Sequence, residues 1–290
     1  MDEQARPQAD GGHALPGCYR HPDRETGIAC ARCGRPICPD CMVDASVGFQ
    51  CPDCVRGAQQ QVRQATTPFG GRPVRDPALV TKVLIGLNLL VFVFTAYIRP
   101  EWQYDLELSS RPGDSLYLPY GVVAGEWYRL VSAVFVHYGL LHIVMNMVSL
   151  WVLGPQLEAA LGRLRYLALY LVSGVAGNAL VYLVAPGFFE SAGASGAIFG
   201  LLGATAVLFR VYRRPVGPVI ALLVFNLVIT FSVPHIDWRA HIGGLVAGTA
   251  MAAGMMYAPR ANRNLLQGLT VAAVLGAAVL LVVVRTAQQG

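Results

Sequence analysis

The sequence predicts an all-α polytopic membrane protein preceded by a small, separately stabilised head. Three observations carry that prediction. The 290 residues are 54% hydrophobic and only 13% charged, with a mean hydropathy of +0.48, more apolar than an ordinary soluble domain. The apolar residues are segregated into charge-free stretches beyond residue 80, each near the roughly 20 residues a helix needs to cross hydrocarbon. All seven cysteines lie before that point.

The chain opens on "MDEQARPQAD", which is polar and has no apolar h-region, so no cleavable signal peptide is expected. Residues 1–15 read as a disordered N-terminus. The cysteines then fall in "CYRH", "CARC", "CPDC" and "CPDC". Cys18 with His21, Cys30 with Cys33, Cys38 with Cys41 and Cys51 with Cys54 make four pairs with a two-residue gap. Eight such ligands suit two tetrahedral Zn2+ ions, with His21 supplying what the odd cysteine count lacks. In so short a segment, 16–56, a structural metal substitutes for a missing core. The competing disulfide framework has the wrong parity and needs an oxidising compartment. The ligand order resembles a B-box or treble-clef-like cross-braced finger. That resemblance implies one ion on Cys18, His21, Cys38 and Cys41 and the other on Cys30, Cys33, Cys51 and Cys54. No basic stripe with interleaved aromatics is present, which argues against nucleic acid as a partner. A cytoplasmic protein partner or a regulatory role fits the head better. Residues 57–80, rich in Gln, Gly, Pro and Arg, read as a linker.

Seven apolar spans follow, at about 83–99, 130–153, 166–185, 194–209, 216–233, 240–257 and 265–284. Arg63, Arg72, Arg75 and Lys82 precede the first. Arg163 and Arg165, then Arg210, Arg213 and Arg214, then Arg260 and Arg263 occupy alternate loops, and the intervening loops are more acidic. The positive-inside rule therefore expects a cytoplasmic N-terminus and an outside C-terminus in the cell membrane.

Polar groups inside spans are costly and mark function. Ser195 starts the fourth span and His241 the sixth. His142 and Asn146 share one face of the second, four residues apart. With the orientation above, all four sit in the outer half of the bilayer. Gly196 with Gly200, and Gly244 with Gly248, are small-xxx-small pairs that let helices approach closely. Close approach would let His241 take the Ser195 proton and activate the hydroxyl as a nucleophile. His142, Asn146 and the Ser195 N–H could then stabilise an oxyanion. Each residue alone has a bland reading, since serine often bonds back to its own helix; the conjunction at one depth is what points to chemistry. No Asp or Glu falls inside any expected span, and no internal repeat is visible, so a transporter fits poorly.

"GASGAIFG", "AHIGGLVAG" and "HIVMN", together with "GEWYR" (Gly125–Arg129) and "LGPQLE" (Leu153–Glu158), resemble the signature of the rhomboid family of intramembrane serine proteases. The resemblance covers about 81–257. It implies a rhomboid-like six-helix core, followed by a seventh C-terminal transmembrane helix within 258–290. It also implies a Ser–His dyad, Ser195 as nucleophile and His241 as base, without a third acid and without a catalytic metal. His142 and Asn146 match the family's oxyanion-side residues and Gly193 its glycine two before the serine. Phe199 stands where well-known members stack a tyrosine on the catalytic histidine. His137 matches a further histidine of some members and is assigned no role. Trp127 and Arg129 read as anchors of an interfacial loop, His13 and His235 as ordinary loop residues. The implied substrates are transmembrane segments of other proteins. A pseudoprotease that binds helices without cutting is the alternative; such relatives typically lack the serine or the histidine, and this chain has both.

Overall fold

The computed structural model describes residues 14–61, 65–113, 118–233 and 236–289. His13, His235 and most of the expected disordered N-terminus lie outside the described residues. Two compact units separate at residues 64 and 65.

The first unit has little regular structure. Strands β1 (Val43–Asp44) and β2 (Phe49–Gln50) pair antiparallel, and helix α1 spans Pro52–Gln61. Its buried cluster is Cys18, Cys30, Ile37, Cys38, Cys41 and Cys51. Asp53 in the first turn of α1 suits the positive end of the helix dipole. Where the sequence suggests a linker from residue 57, α1 continues instead to Gln61.

The second unit begins with chain that is packed rather than open. Phe69 is buried, a turn joins the Thr67 N–H to the Gly71 carbonyl, and Gln267 donates to the Phe69 carbonyl. Helix α2 (Leu79–Val93) runs on as a π-helical turn, Phe94–Ile98. Helix α3 (Glu101–Leu106), strand β3 (Leu108–Arg111), strand β4 (Tyr120–Gly121) and helix α4 (Arg129–Ser132) follow. The long helices are then α5 (Leu140–Leu161), α6 (Arg163–Val184), α7 (Ser195–Val211), α8 (Gly217–Ser232), α9 (Trp238–Met256) and α10 (Arg263–Gln289), with β5 (Phe189–Ser191) before α7. Among the described residues, four helices are long and apolar enough to cross a membrane: 79–98, α5, α6 and α10. Helices α7 and α8 are shorter and also apolar.

The expected second span needs correcting. The helix is not 130–153 but Leu140–Leu161. The apolar run before it is a short helix and a series of turns, with Ala133, Val134 and Val136 almost wholly buried. These residues are apolar because they are core, not because they cross lipid. The shift carries Pro155 and Glu158 into α5, so an acid does lie within a long apolar helix. Glu158 is fully buried and accepts from the N–H groups of Val80 and Thr81 and from Thr81 Oγ1. A carboxylate there satisfies orphan donors at the N-terminus of α2.

A small sheet joins loops at one end of the helices: β3 lies between β4 and β5, antiparallel to both, with Ser110 opposite Gly121 and Leu108 opposite Ser191. Arg129, 1% exposed, organises the adjoining loop. Its guanidinium donates to Glu126, to the Tyr104 and Glu107 carbonyls and to the Tyr120 hydroxyl. Helices α6, α7 and α9 form the centre of this unit. A Cβ on Gly244 of α9 would stand 1.9 Å from the Gly196 carbonyl oxygen of α7. Only glycine permits so close a backbone approach.

Candidate active site and metal clusters

Residue 193 sets the geometry of the serine. Gly193 has φ of +130°, a conformation that side chains rarely adopt. Its N–H donates to the Ala133 carbonyl. A Cβ there would also meet the His142 ring, 2.7 Å from Nε2. Ser195 then opens α7, whose first intrahelical bond runs from the Ile198 N–H to the Ala194 carbonyl. The N–H groups of Ser195, Gly196 and Ala197 thus belong to a first turn that lacks intrahelical partners and carries the positive end of the helix dipole.

Helix α9 brings His241 to this point. Its N-cap Asp237 accepts from the Arg239 N–H, a bond that fixes where the helix begins. His241 Nε2 lies 2.8 Å from Ser195 Oγ. Phe199, one turn along α7 from the serine, stacks on the imidazole with ring centroids 4.1 Å apart and planes 13° from parallel. His241 and Phe199 are buried and Ser195 is half-buried. A hydroxyl, an imidazole and a ring that holds the imidazole in plane are therefore together, although Ser195 and His241 are 46 residues apart.

The remaining sequence-singled residues divide. His142 lies against Gly193, and its ring centroid is 5.0 Å from that of His137. Asn146 is buried on α5 and donates one amide hydrogen to the His142 carbonyl, a bond within its own helix. Its second amide hydrogen is the one free to serve a ligand.

Two residues without a sequence-derived role also join the site. His137 is 1% exposed. Its Nδ1 faces the Phe135 carbonyl at 3.2 Å, and the Ala194 N–H points to its Nε2 at 3.5 Å. A carbonyl only accepts, so Nδ1 carries the hydrogen and Nε2 receives the Ala194 N–H. His137 thereby steadies the turn that presents Ser195. Thr230 on α8 contacts His241 Nδ1 at 2.7 Å. No local pattern marks a threonine on an apolar helix, since its partner lies on another helix.

The first unit holds two clusters that could each bind a metal ion: Cys18, His21, Cys38 and Cys41, and Cys30, Cys33, Cys51 and Cys54. Within each, the ligand atoms lie within 4.8 Å of one another. His21 Nδ1 is 3.3, 3.5 and 3.9 Å from the sulfurs of Cys38, Cys41 and Cys18, and Cys33 and Cys51 place their sulfurs 3.8 Å apart. A tetrahedron built on zinc–ligand bonds of about 2.0–2.3 Å has edges of about 3.6–3.8 Å, so the donor sets fit such an ion. Burial would raise the Cys18 thiol, but N–H donors of Arg20, Cys38 and His21 outweigh it and lower it to about 6. At Cys30 the same opposition, with donors from Cys51, Cys33 and Arg32, also ends at about 6. Thiols lowered this way suit metal ligation, whereas burial and neighbouring thiols push Cys41 up to about 11.

Comparison with known proteins bears on the second unit. Residues 124–258 match the Rhomboid domain. Rhomboid protease GluP of Bacillus subtilis (strain 168) is 37% identical over 139 residues, 46% of this chain but only 27% of that protein. Putative rhomboid protease YdcA of the same organism is 38% identical over 133 residues, 44% of this chain and 67% of the relative. Rhomboid-type serine protease 2 of Emericella nidulans is 32% identical over 146 residues, 48% of this chain and 29% of the relative. The domain match starts just before Arg129 and ends just after the helix that carries His241; together with the coverage of YdcA, it makes this chain an integral membrane protein of the rhomboid family.

Proposed function

We propose that the chain is a serine-type endopeptidase that hydrolyses peptide bonds in or near transmembrane segments of other membrane proteins. The observation that carries this reading is the 2.8 Å approach of His241 Nε2 to Ser195 Oγ under the Phe199 ring. His241 accepts the Ser195 proton as Oγ attacks the scissile carbonyl, and the charge moves to the carbonyl oxygen. The Ser195 N–H at the start of α7, His142 and the second amide hydrogen of Asn146 are the donors for that oxyanion. His241 then returns the proton to the leaving amine, and water, deprotonated by the same imidazole, releases the acyl group from Ser195. No carboxylate orients the imidazole in this scheme.

The basic loops support a cytoplasmic N-terminus, an outside C-terminus and a cell-membrane location. The head is read as a B-box-like domain that holds two structural Zn2+ ions, one in each Cys/His cluster. Zinc there would cross-link segments that share almost no other core. A cytoplasmic protein partner is its proposed ligand.

Purified protein in liposomes, given a labelled transmembrane substrate, tests the reading. Wild type should cleave near the outer interface, and Ser195→Ala and His241→Ala should each abolish cleavage. A folded wild type that binds but never cuts a panel of substrates would mark a helix-binding pseudoprotease instead.

A further inference from the structure

The hydrogen-bond partners of Thr230 reach beyond the two-residue dyad. Thr230 lies near the end of α8, a helix whose buried residues are Val219 and Thr230. Its Oγ1 is 2.7 Å from the Asn226 carbonyl oxygen and 2.7 Å from His241 Nδ1. A threonine hydroxyl has one proton to give, and a carbonyl can only accept. The Thr230 proton therefore goes to Asn226, the usual bond back to the preceding turn of its own helix. The oxygen then turns a lone pair toward His241, so Nδ1 must carry a hydrogen. In a neutral imidazole the other nitrogen is then bare, and that nitrogen, Nε2, faces Ser195.

Phe199 cannot do this work. A stacked ring fixes the plane of the imidazole but not which of its nitrogens carries the hydrogen. A hydrogen-bond partner at Nδ1 fixes which tautomer faces the serine. We propose that Thr230 is a positioning residue that holds His241 in the Nδ1–H tautomer and so keeps Nε2 as the base for Ser195. The role that a carboxylate fills in other serine hydrolases falls here to a neutral hydroxyl, anchored on a main-chain carbonyl of α8. When Nε2 takes the serine proton, Nδ1–H keeps its acceptor and the imidazolium is held in place.

This inference rests on the dyad reading, and the test separates the two. Full-length protein in liposomes is assayed as wild type, Thr230→Val, Thr230→Ser and Ser195→Ala, with melting temperatures for each. Valine keeps the shape and loses the hydroxyl; serine keeps the hydroxyl and loses a methyl. A neutral orienting bond corresponds to about a tenfold change in rate, so Thr230→Val should lower kcat about tenfold at nearly constant KM. Thr230→Ser should stay close to wild type. Thr230→Ala is the second hydroxyl-free variant, should valine prevent folding. Wild-type kcat in Thr230→Val would overturn the proposal, and so would a loss in Thr230→Ser as large as that in Thr230→Val, which would mean packing. If wild type cleaves no faster than Ser195→Ala, the protease reading fails instead. Thr230 is then judged by the imidazole 15N resonances of His241: a protonated Nδ1 in wild type and a tautomer mixture in Thr230→Val support it, and identical spectra overturn it.

Discussion

In the cysteine-rich head, five of the six residues of the buried cluster are cysteines, and Ile37 is the sixth. In the membrane unit, the seam between α7 and α9 sets Gly244 against Gly196 and Gly248 against Gly200, so that the backbone of one helix rests on the other. The head keeps its charge pairs at the surface, as in Arg24–Asp40, Arg35–Asp53 and Arg56–Asp53. The membrane unit buries charged residues outright: Glu107, Arg129 and Glu158 are each no more than 1% exposed. Each region thus does without what stabilises an ordinary soluble domain. The head has too few apolar side chains to bury. Helices in lipid gain little from burying theirs, so close packing and satisfied polar groups must hold them together. Cohesion in the head should therefore depend on ligands, and in the membrane unit on space.

The largest expected effect is in the head. A strong chelator added to the intact chain should abolish the protection of residues 18–54 from proteolysis. The protein as purified should contain two zinc ions per chain by elemental analysis. Structural zinc in such small domains supplies about 10–16 kcal/mol of binding free energy, more than a cluster with one non-cysteine apolar residue can replace. A head that stayed resistant without metal would remove the contrast with the membrane unit.

The next effect sharpens the other side. Gly244→Ala forces a methyl group against the Gly196 carbonyl, where neither backbone can yield. The loss should exceed about 3 kcal/mol, beyond the usual cost of overpacking. Gly276→Ala on α10, where the added Cβ meets nothing within 4 Å, should instead be neutral or stabilise by up to about 1 kcal/mol through helix propensity. Denaturation in mild detergent measures both. Equal costs at the two glycines would mean that close approach does not hold the seam.

How much of this was legible in the sequence follows from the same physics. Cysteine and histidine at fixed gaps state their chemistry locally, and both ligand clusters could be read from spacing and resemblance. The approach of Ser195 to His241 could be expected because small residues and motif surround each. The start of α5 could not, since an apolar run such as 130–139 looks the same whether it faces lipid or packs inside the protein as turns. Glu158 was hidden for a related reason: a carboxylate in a long apolar helix is tolerable because donors from α2, 77 residues away, surround it and Arg163 lies 3.9 Å away. The small sheet of β3, β4 and β5 joins loops distant in sequence and so had no local signal. Thr230 escaped, and His137 could be named but given no role, because what each does lies wholly in what faces it.

The smallest effect concerns a buried charge of the membrane unit, in a loop outside the spanning helices. Glu107 is 1% exposed and its Oε2 has no hydrogen-bond partner. Burial pushes its carboxyl up to about 7; Tyr138 and Arg129 pull it down, and Glu190 pushes it further up. A carboxyl whose folded pKa is raised keeps its proton in the native state at pH values where the unfolded chain has lost it. Stability should then be greatest below the unfolded value of 4.5 and fall as pH rises toward about 7. The fall should be on the order of 2 kcal/mol, because water penetration and relaxation soften an idealised burial cost. Glu107→Gln keeps the shape of the protonated acid and cannot ionise, so it should flatten that slope and make the variant the more stable protein at pH 8. Denaturation midpoints at pH 5 and pH 8 for both proteins decide it. A slope shared by wild type and variant would show that the membrane unit accommodates this charge as easily as the head accommodates its exposed pairs.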